Sequence, residues 1–169
     1  MHPGDPVLSV GATHHTPIMI HTLSQEQFLP ITLQEAWEFF SHPKNLDEMT
    51  PEELGFRIIY QPGEEMYEGQ IIEYRVMIFP GVWVPWVTEI KSVIENRSFI
   101  DEQRFGPYGF WHHLHHFEEV EGGVLMKDLV HYAMPFWPFG ELGHGLFVRP
   151  KLERIFNFRR EILDKRFRK

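Results

Sequence analysis

The strongest structural signal in this chain is the stretch Gly106–Tyr132, which reads GPYGFWHHLHHFEEVEGGVLMKDLVHY. Two segments of period-2 alternation flank Gly122 and Gly123, a pattern typical of an antiparallel hairpin. If Val120 pairs with Gly123, alternation brings eight side chains onto one face. These side chains form four facing pairs: Trp111 with Tyr132, His113 with Val130, His115 with Asp128, and Phe117 with Met126. A face that carries aromatic, aliphatic and polar side chains together is more typical of a ligand-binding cavity than of a hydrophobic core filled by the protein itself.

The rest of the chain predicts one α+β order of elements. A first strand over Ile18–Leu29 precedes the capping box Thr32–Glu35, which starts an apolar helical pattern. Start signals at Lys44 and Thr50 predict one or two further short helices. A meander of strands follows, and the last 25 or so residues show helical spacing around Pro150. The predicted later strands are Phe56–Gln61, Met66–Phe79, Trp83–Glu95, Ser98–Phe105, Phe110–Val120 and Val124–Met134.

Composition narrows the class of protein. The 169 residues fit a single domain over residues 18–169, preceded by a flexible tail at 1–17 that is rich in Pro and Gly. The chain has no cysteine, which excludes disulfides and thiolate metal sites. No run of 18 apolar residues is present, and the first residues lack the pattern of a secretory signal. We therefore expect a cytoplasmic protein.

Charge is distributed unevenly along the chain. Residues 149–169 carry 9 basic and 3 acidic side chains, whereas residues 1–148 carry 7 basic and 21 acidic ones. The basic segment by itself is compatible with a polyanion partner. The negative field of the rest of the protein would oppose such binding, so no nucleic-acid partner is expected.

This order of elements, together with particular residues, resembles the START and polyketide-cyclase-like superfamily known as SRPBCC, and more narrowly its small bacterial ligand-binding members. The similarity covers about residues 18–167. The residues that carry it are Thr32–Phe40, Asn45, Leu46, Thr50, Pro51, Gly69, Ile72, Tyr74, Trp86, Thr88–Ile90, Phe99, Asp101, Gln103, Gly106–Tyr108, Trp111, His113, Phe117, Met126, Asp128, Val130, Tyr132, Leu152, Ile155, Phe156 and Arg159.

The resemblance implies a helix-grip fold, in which a curved antiparallel sheet of about seven strands wraps a long C-terminal helix. It also implies a cavity between sheet and helix for a hydrophobic small molecule such as a lipid, quinone or polyketide. Relatives include carriers, coenzyme-Q-binding proteins and aromatase/cyclases, so the fold leaves the function open. No cofactor is expected, since these relatives mostly bind their ligands without metal.

The histidines near the hairpin turn suggest two kinds of chemistry. His113 and His115 could ligate one ion with Asp128, but no further ligand on that face is evident from the sequence, and we expect no metal. A carboxylate beside an imidazole also suits proton transfer, which makes His113, His115 and Asp128 the candidate catalytic residues of a cyclase-like enzyme. Alternatively, Asp128 and His115 form a support pair beneath a binding wall.

Stacking surfaces and a few polar groups define the expected ligand site, because a planar, partly polar ligand needs both. A filled core without ligand is the alternative reading. The expected lining residues are Tyr74, Trp86, Thr88, Gln103, Trp111, His113 and Tyr132.

An apolar loop after the last strand is expected to border the cavity mouth as a portal. Its aromatic residues are Phe136, Trp137 and Phe139. These residues, with the basic final helix, would also suit peripheral contact with a membrane, as in a coenzyme-Q-type lipid chaperone. Packing against the start of the helix is the alternative reading for the loop. The oligomeric state is left open between monomer and homodimer.

Overall fold

The computed structural model describes residues 18–42, 44–45, 49, 55–136 and 138–168. These residues form an antiparallel sheet of seven strands and several helical segments. The strands are β1 (His21–Leu29), β2 (Phe56–Tyr60), β3 (Ile71–Phe79), β4 (Val82–Ile94), β5 (Ser98–Phe105), β6 (Phe110–Val120) and β7 (Gly123–Ala133). The helices are α1 (Leu33–Phe40), α2 (Phe139–Gly143) and α3 (Arg149–Phe167), with a π-helical turn at His144–Val148 between the last two.

The strand order is β1-β7-β6-β5-β4-β3-β2, so the sequential meander from β2 to β7 is completed by β1 at its far edge. Helix α3 packs against the sheet through Leu152 and Phe156, which share a buried cluster with Trp111 and Tyr132. A curved antiparallel sheet around a long C-terminal helix is the helix-grip α+β fold, and that prediction is confirmed.

The predicted hairpin register is also confirmed. Val120 pairs with Gly123, and each of the four expected facing pairs between β6 and β7 is present. All eight side chains of that face are buried, whereas the intervening residues of β6 and β7 are mostly less so. The Gly-Gly turn suits this geometry because Gly122 has a φ of +82°, a left-handed conformation that glycine adopts without strain.

Several boundaries differ from the prediction. Strand β3 begins at Ile71 rather than Met66, because Gly69 with a φ of +81° turns the chain immediately before it. Pro150 lies in the first turn of α3, where its missing N–H is tolerated, and the π-helical turn precedes it. The capping box at Thr32 is present as predicted. The other short helices and the tail at 1–17 fall wholly or mostly outside the described residues.

Two buried clusters flank the space under the sheet. One joins α1 to the hairpin and the end of α3 through Trp37, Phe40, Phe117 and Leu163. The other holds Trp111 and Tyr132 against the first half of α3. None of the helices in the described parts of the chain has the length and apolar character needed to cross a lipid bilayer.

Candidate functional site

A cavity of about 430 Å³ lies between the sheet and α3. Strands β3 to β6 provide one wall, and α3 provides the other through residues on its inner side. Most of the wall is apolar, and its polar side chains are few. Those on β4, β5, β6 and α3 are Thr88, Asp101, His113, His115, Lys151 and Arg159.

Five of the seven expected lining residues contribute to this wall. They are Tyr74, Trp86, Thr88, Trp111 and His113. Their positions follow from strand alternation, since the pairs Tyr74–Trp86 and Ile72–Thr88 face each other across β3 and β4. Within the wall, the Trp86 indole Nε1–H donates to the Thr88 hydroxyl at 3.0 Å.

The other two expected residues, Gln103 and Tyr132, lie outside the cavity wall. The Gln103 amide donates to the carbonyl of Tyr108 at 2.8 Å and accepts from the Tyr108 backbone N–H at 3.2 Å. It therefore holds the β5–β6 turn together. The Tyr132 hydroxyl forms a 2.8 Å hydrogen bond with Nε2 of His144 and thereby anchors the π-helical turn to β7.

An aromatic corner supplies the stacking surface of the cavity. Trp86 and Trp111 meet edge to face with ring centroids 5.1 Å apart, and Tyr108 lies 4.9 Å from Trp111. Sequence reasoning did not select Tyr108 as a lining residue because it belongs to the β5–β6 turn and has no strand alternation to orient it. Burial and the nearby Tyr132 raise the pKa of the Tyr108 phenol, so it remains a neutral hydroxyl at physiological pH.

Two histidines and two aspartates form the polar end of the cavity. His113 Nε2 lies 2.8 Å from Asp128 Oδ1, and His113 Nδ1 lies 3.1 Å from Asp101 Oδ2. His115 Nε2 makes a 3.0 Å hydrogen bond with the same Asp101 oxygen. The two imidazole rings are 3.8 Å apart. Each carboxylate therefore lies close to one nitrogen of each ring.

The expected support pair of His115 and Asp128 is part of a larger network. The two residues do oppose each other in the register, and His115 Nδ1 lies 3.0 Å from Asp128 Oδ1. That nitrogen has no hydrogen-bond partner among the described residues, however, and His113 makes the hydrogen bond to Asp128. Asp101, which faces His113 from β5, is the partner that the hairpin pattern alone did not reveal.

Electrostatics keep this cluster charged. Burial opposes protonation of His113, but the charge of Asp101 and hydrogen bonds to both aspartates outweigh it and raise the pKa of His113 to about 9. Burial likewise favours the neutral form of Asp101, but the charge of His113 and hydrogen bonds from both histidines hold its pKa well below the usual range. At neutral pH, His113 is therefore an imidazolium between two carboxylates.

Arg159 completes the polar end from the helix side. Its guanidinium carbon lies 5.2 Å from the centroid of the Phe156 ring, in the next inward position of α3. Burial raises the pKa of Asp128, but the charge of Arg159 and a hydrogen bond from His113 lower it well below the usual range. The side chain of Arg159 is only 5% exposed, and its Nε has no hydrogen-bond partner among the described residues.

Among the residues that the structure describes, two groups of side chains have the donor types of a metal site. Asp101, His113 and His115 each bring one ligand atom within 4.8 Å of the others, so β5 supplies the ligand that sequence reasoning did not find. His21, Glu141 and His144 form the second group. In the first group the ring nitrogens of His113 already face carboxylates. In the second, the His21 and His144 rings stack 3.6 Å apart, Nε2 of His21 already contacts Glu141, and Nε2 of His144 already bonds the Tyr132 hydroxyl.

The segment after β7 lies beside the cavity and exposes large apolar side chains. Phe136, with a φ of +59°, is 84% exposed, and Phe139 is 79% exposed. Gly140 and Gly143 of α2 contribute to the cavity wall. Trp137, the third expected portal residue, lies outside the described residues.

Comparisons with known proteins agree on the fold. No protein-family model matches the chain, and no curated protein matches it significantly. Several solved structures, however, do match it. KanY protein is 10% identical with a TM-score of 0.68, over 90% of this chain and 100% of that one. Ara h 8.0201 is 17% identical with a TM-score of 0.57, over 86% and 98%. TTHA0849 from Thermus thermophilus is 14% identical with a TM-score of 0.62, over 85% and 97%. These likenesses support the helix-grip fold.

Proposed function

We propose that this protein binds a hydrophobic or aromatic small molecule, such as a lipid, quinone or polyketide-like compound, between its sheet and α3. The observation that carries the proposal is the cavity of about 430 Å³, apolar along most of its wall and polar at one end. Apolar walls provide affinity, and a few polar groups orient a ligand. A volume of this size is in the range that holds a small organic molecule.

The polar end favours binding over proton transfer. A general base needs a ring nitrogen that is free to take a proton from the ligand. Both nitrogens of His113 lie within 3.1 Å of carboxylates, and its raised pKa keeps it protonated at neutral pH. These features suit His113 as part of a charged wall better than as a proton-transfer group. The alternative function, an aromatase/cyclase-like enzyme, would then depend on His115, whose Nδ1 has no hydrogen-bond partner among the described residues.

Native mass spectrometry of the freshly purified protein, followed by solvent extraction, tests the proposal. We expect a stoichiometric organic ligand on the wild-type protein. The variant Ile155→Trp places a larger side chain in the cavity from α3 and should lose that ligand, whereas Glu153→Gln on the exposed side of the same helix should keep it. A ligand retained equally by the Ile155→Trp variant would contradict binding in this cavity.

A second candidate role, contact with a membrane surface, is favoured by the orientation of the segment Phe139–Val148. Its polar residues Glu141 and His144 turn toward β1 and β7, where they contact His21 and Tyr132. Its large apolar side chains are exposed instead, the reverse of an ordinary surface helix. The exposed residues are Phe139, Leu142, Leu146 and Phe147. Exposed basic residues of α3 follow directly and suit anionic lipid headgroups.

Flotation with vesicles of phosphatidylcholine and phosphatidylglycerol tests this second role. The double variant Leu142→Ser/Leu146→Ser should bind several-fold less than wild type, because it removes apolar area that would enter the interface. The control Ile59→Ser removes an exposed apolar residue from β2, outside this segment, and should bind as wild type does. Equal binding by all three proteins would contradict membrane contact through this segment.

A further inference from the structure

Arg159 has a buried hydrogen-bond donor, its Nε–H, that finds no acceptor among the described protein atoms. It is 5% exposed and lines the cavity, and its Nε–H has no partner in the described parts of the chain. An arginine stays charged at any physiological pH. A buried donor without an acceptor destabilises the folded protein, and more so when the group is charged.

The nearby carboxylates do not accept a hydrogen bond from Arg159. The charge of Arg159 acts on Asp128, but Oδ1 of Asp128 accepts a hydrogen bond from His113 at 2.8 Å. Asp101 is shared between His113 and His115. Among the described residues, no carboxylate lies within salt-bridge distance of Arg159. Within the described ranges, the positive charges of Arg159 and His113 are therefore balanced by the two aspartates, and the Nε–H of Arg159 is left without an acceptor.

Building on the proposed function, we propose that the ligand is an anionic amphiphile whose carboxylate, or an equivalent phenolate or enolate oxygen, accepts a hydrogen bond from Arg159. An oxygen placed there would satisfy the buried Nε–H in a charge-assisted hydrogen bond. The apolar body of the ligand would then lie along the aromatic corner of Trp86, Tyr108 and Trp111.

The geometry of α3 supports this orientation. Lys151, Ile155 and Arg159 all face the cavity at intervals of four residues, which places Arg159 about 12 Å along the helix from Lys151. The ammonium of Lys151 already donates to the carbonyls of Met77 and Ile78 at 2.7 and 3.2 Å. Burial lowers the pKa of Lys151, which further weakens it as an anion site. Arg159 is thus the better placed of the two cations for an anionic ligand.

Matched pairs of probes test the proposal. Affinities of 1-pyrenebutanoic acid and 2-naphthoic acid, each compared with its methyl ester, are measured by fluorescence titration at pH 7. Wild type should bind at least one acid about tenfold or more tightly than its ester, a typical difference for one charge-assisted hydrogen bond. Arg159→Met should remove that preference while ester affinity persists, and Arg159→Lys should retain part of it.

Lys165→Met controls for net charge, because Lys165 is an exposed cation on the same helix and should leave the preference unchanged. Wild-type protein that binds acids and esters equally would overturn the anionic ligand while leaving a hydrophobic binding site intact. Binding of neither acids nor esters would overturn the proposed function and this inference together. Persistent ester binding shows that a variant is folded. If the Arg159→Met variant does not fold, the preference of the wild-type protein for acids over esters still tests the proposal.

Discussion

Asp101 and His113 face each other across β5 and β6, with Oδ2 of the aspartate 3.1 Å from Nδ1 of the histidine. The same Asp101 oxygen reaches diagonally to Nε2 of His115 at 3.0 Å, and Nε2 of His113 reaches diagonally to Asp128 at 2.8 Å. Diagonal neighbours on adjacent strands are close enough for long side chains to meet. Three strands therefore share one network of charges at the polar end of the cavity.

Replacing Asp101 with Asn should weaken this network. The substitution removes a negative charge that lies against the buried His113, so the pKa of His113 should fall from about 9 toward its ordinary value. Breaking a buried ion pair typically lowers the free energy of unfolding by about 3–5 kcal/mol. Histidine NMR titration and urea unfolding measure the two effects. The control Glu102→Gln alters the neighbouring carboxylate, whose partners Lys91 and His112 are more exposed than His113, and should cost less than about 1 kcal/mol.

Stability should fall as pH rises from 6.5 through about 9. The folded-state pKa of His113 lies above its unfolded value of 6.5, so its contribution is complete below pH 6.5 and is lost as pH rises through about 9. A shift of this size corresponds to roughly 3 kcal/mol. Urea unfolding at pH 6, 7.5 and 9.5 should reveal the loss in wild type and a flatter profile in His113→Gln. Parallel profiles in the two proteins would assign the loss to another group.

Gly123→Ala should destabilise the protein by about 2 kcal/mol or more, because a Cβ at this position would collide with the backbone carbonyl of Leu29. The clash lies where β1 pairs with β7, so relaxing it would disturb that edge of the sheet. Thermal unfolding measures the effect. Gly143→Ala is the control, since its Cβ would meet nothing within 4 Å and its helical position favours alanine.

Tyr132→Phe should separate structural support from ligand contact. Loss of the hydrogen bond to His144 should cost about 1 kcal/mol of stability. Because Tyr132 lies outside the cavity wall, the affinity of the variant for 1-pyrenebutanoic acid should stay within about twofold of wild type. Trp86→Ala removes part of the aromatic wall and should weaken binding of the same probe about tenfold or more. Equal losses in the two variants would contradict this division of roles.

Local patterns were sufficient to predict the elements and the central register. The Gly122–Gly123 turn and the alternation around it place His113 and His115 on the inner face and His112 and His116 on the other. The capping box at Thr32 likewise depends on residues three apart. Such signals are readable because turn geometry and side-chain alternation involve only neighbouring residues.

The placement of Gln103 shows where that reasoning stops. Alternation puts Gln103 opposite Thr88, yet its side chain bends to the backbone of Tyr108 in the adjoining turn. The β4–β5 pairing is also irregular on both sides of this region, which period-2 reasoning does not anticipate. A long amide side chain satisfies whichever backbone groups the turn leaves unpaired, and turn geometry is set by the folded chain.

The amino-acid sequence by itself determined the strand and helix order, the β6–β7 register and the inward set of aromatic, histidine and aspartate residues, because each depends on periodicity within a short segment. Only the tertiary structure decided that Asp101 joins both histidines, that Arg159 approaches them from α3, and that Tyr132 supports a helix instead of lining the cavity. These relationships depend on how separate elements pack, and packing brings together residues far apart in the chain. A buried charge is stabilised by whichever opposite charge that packing places beside it.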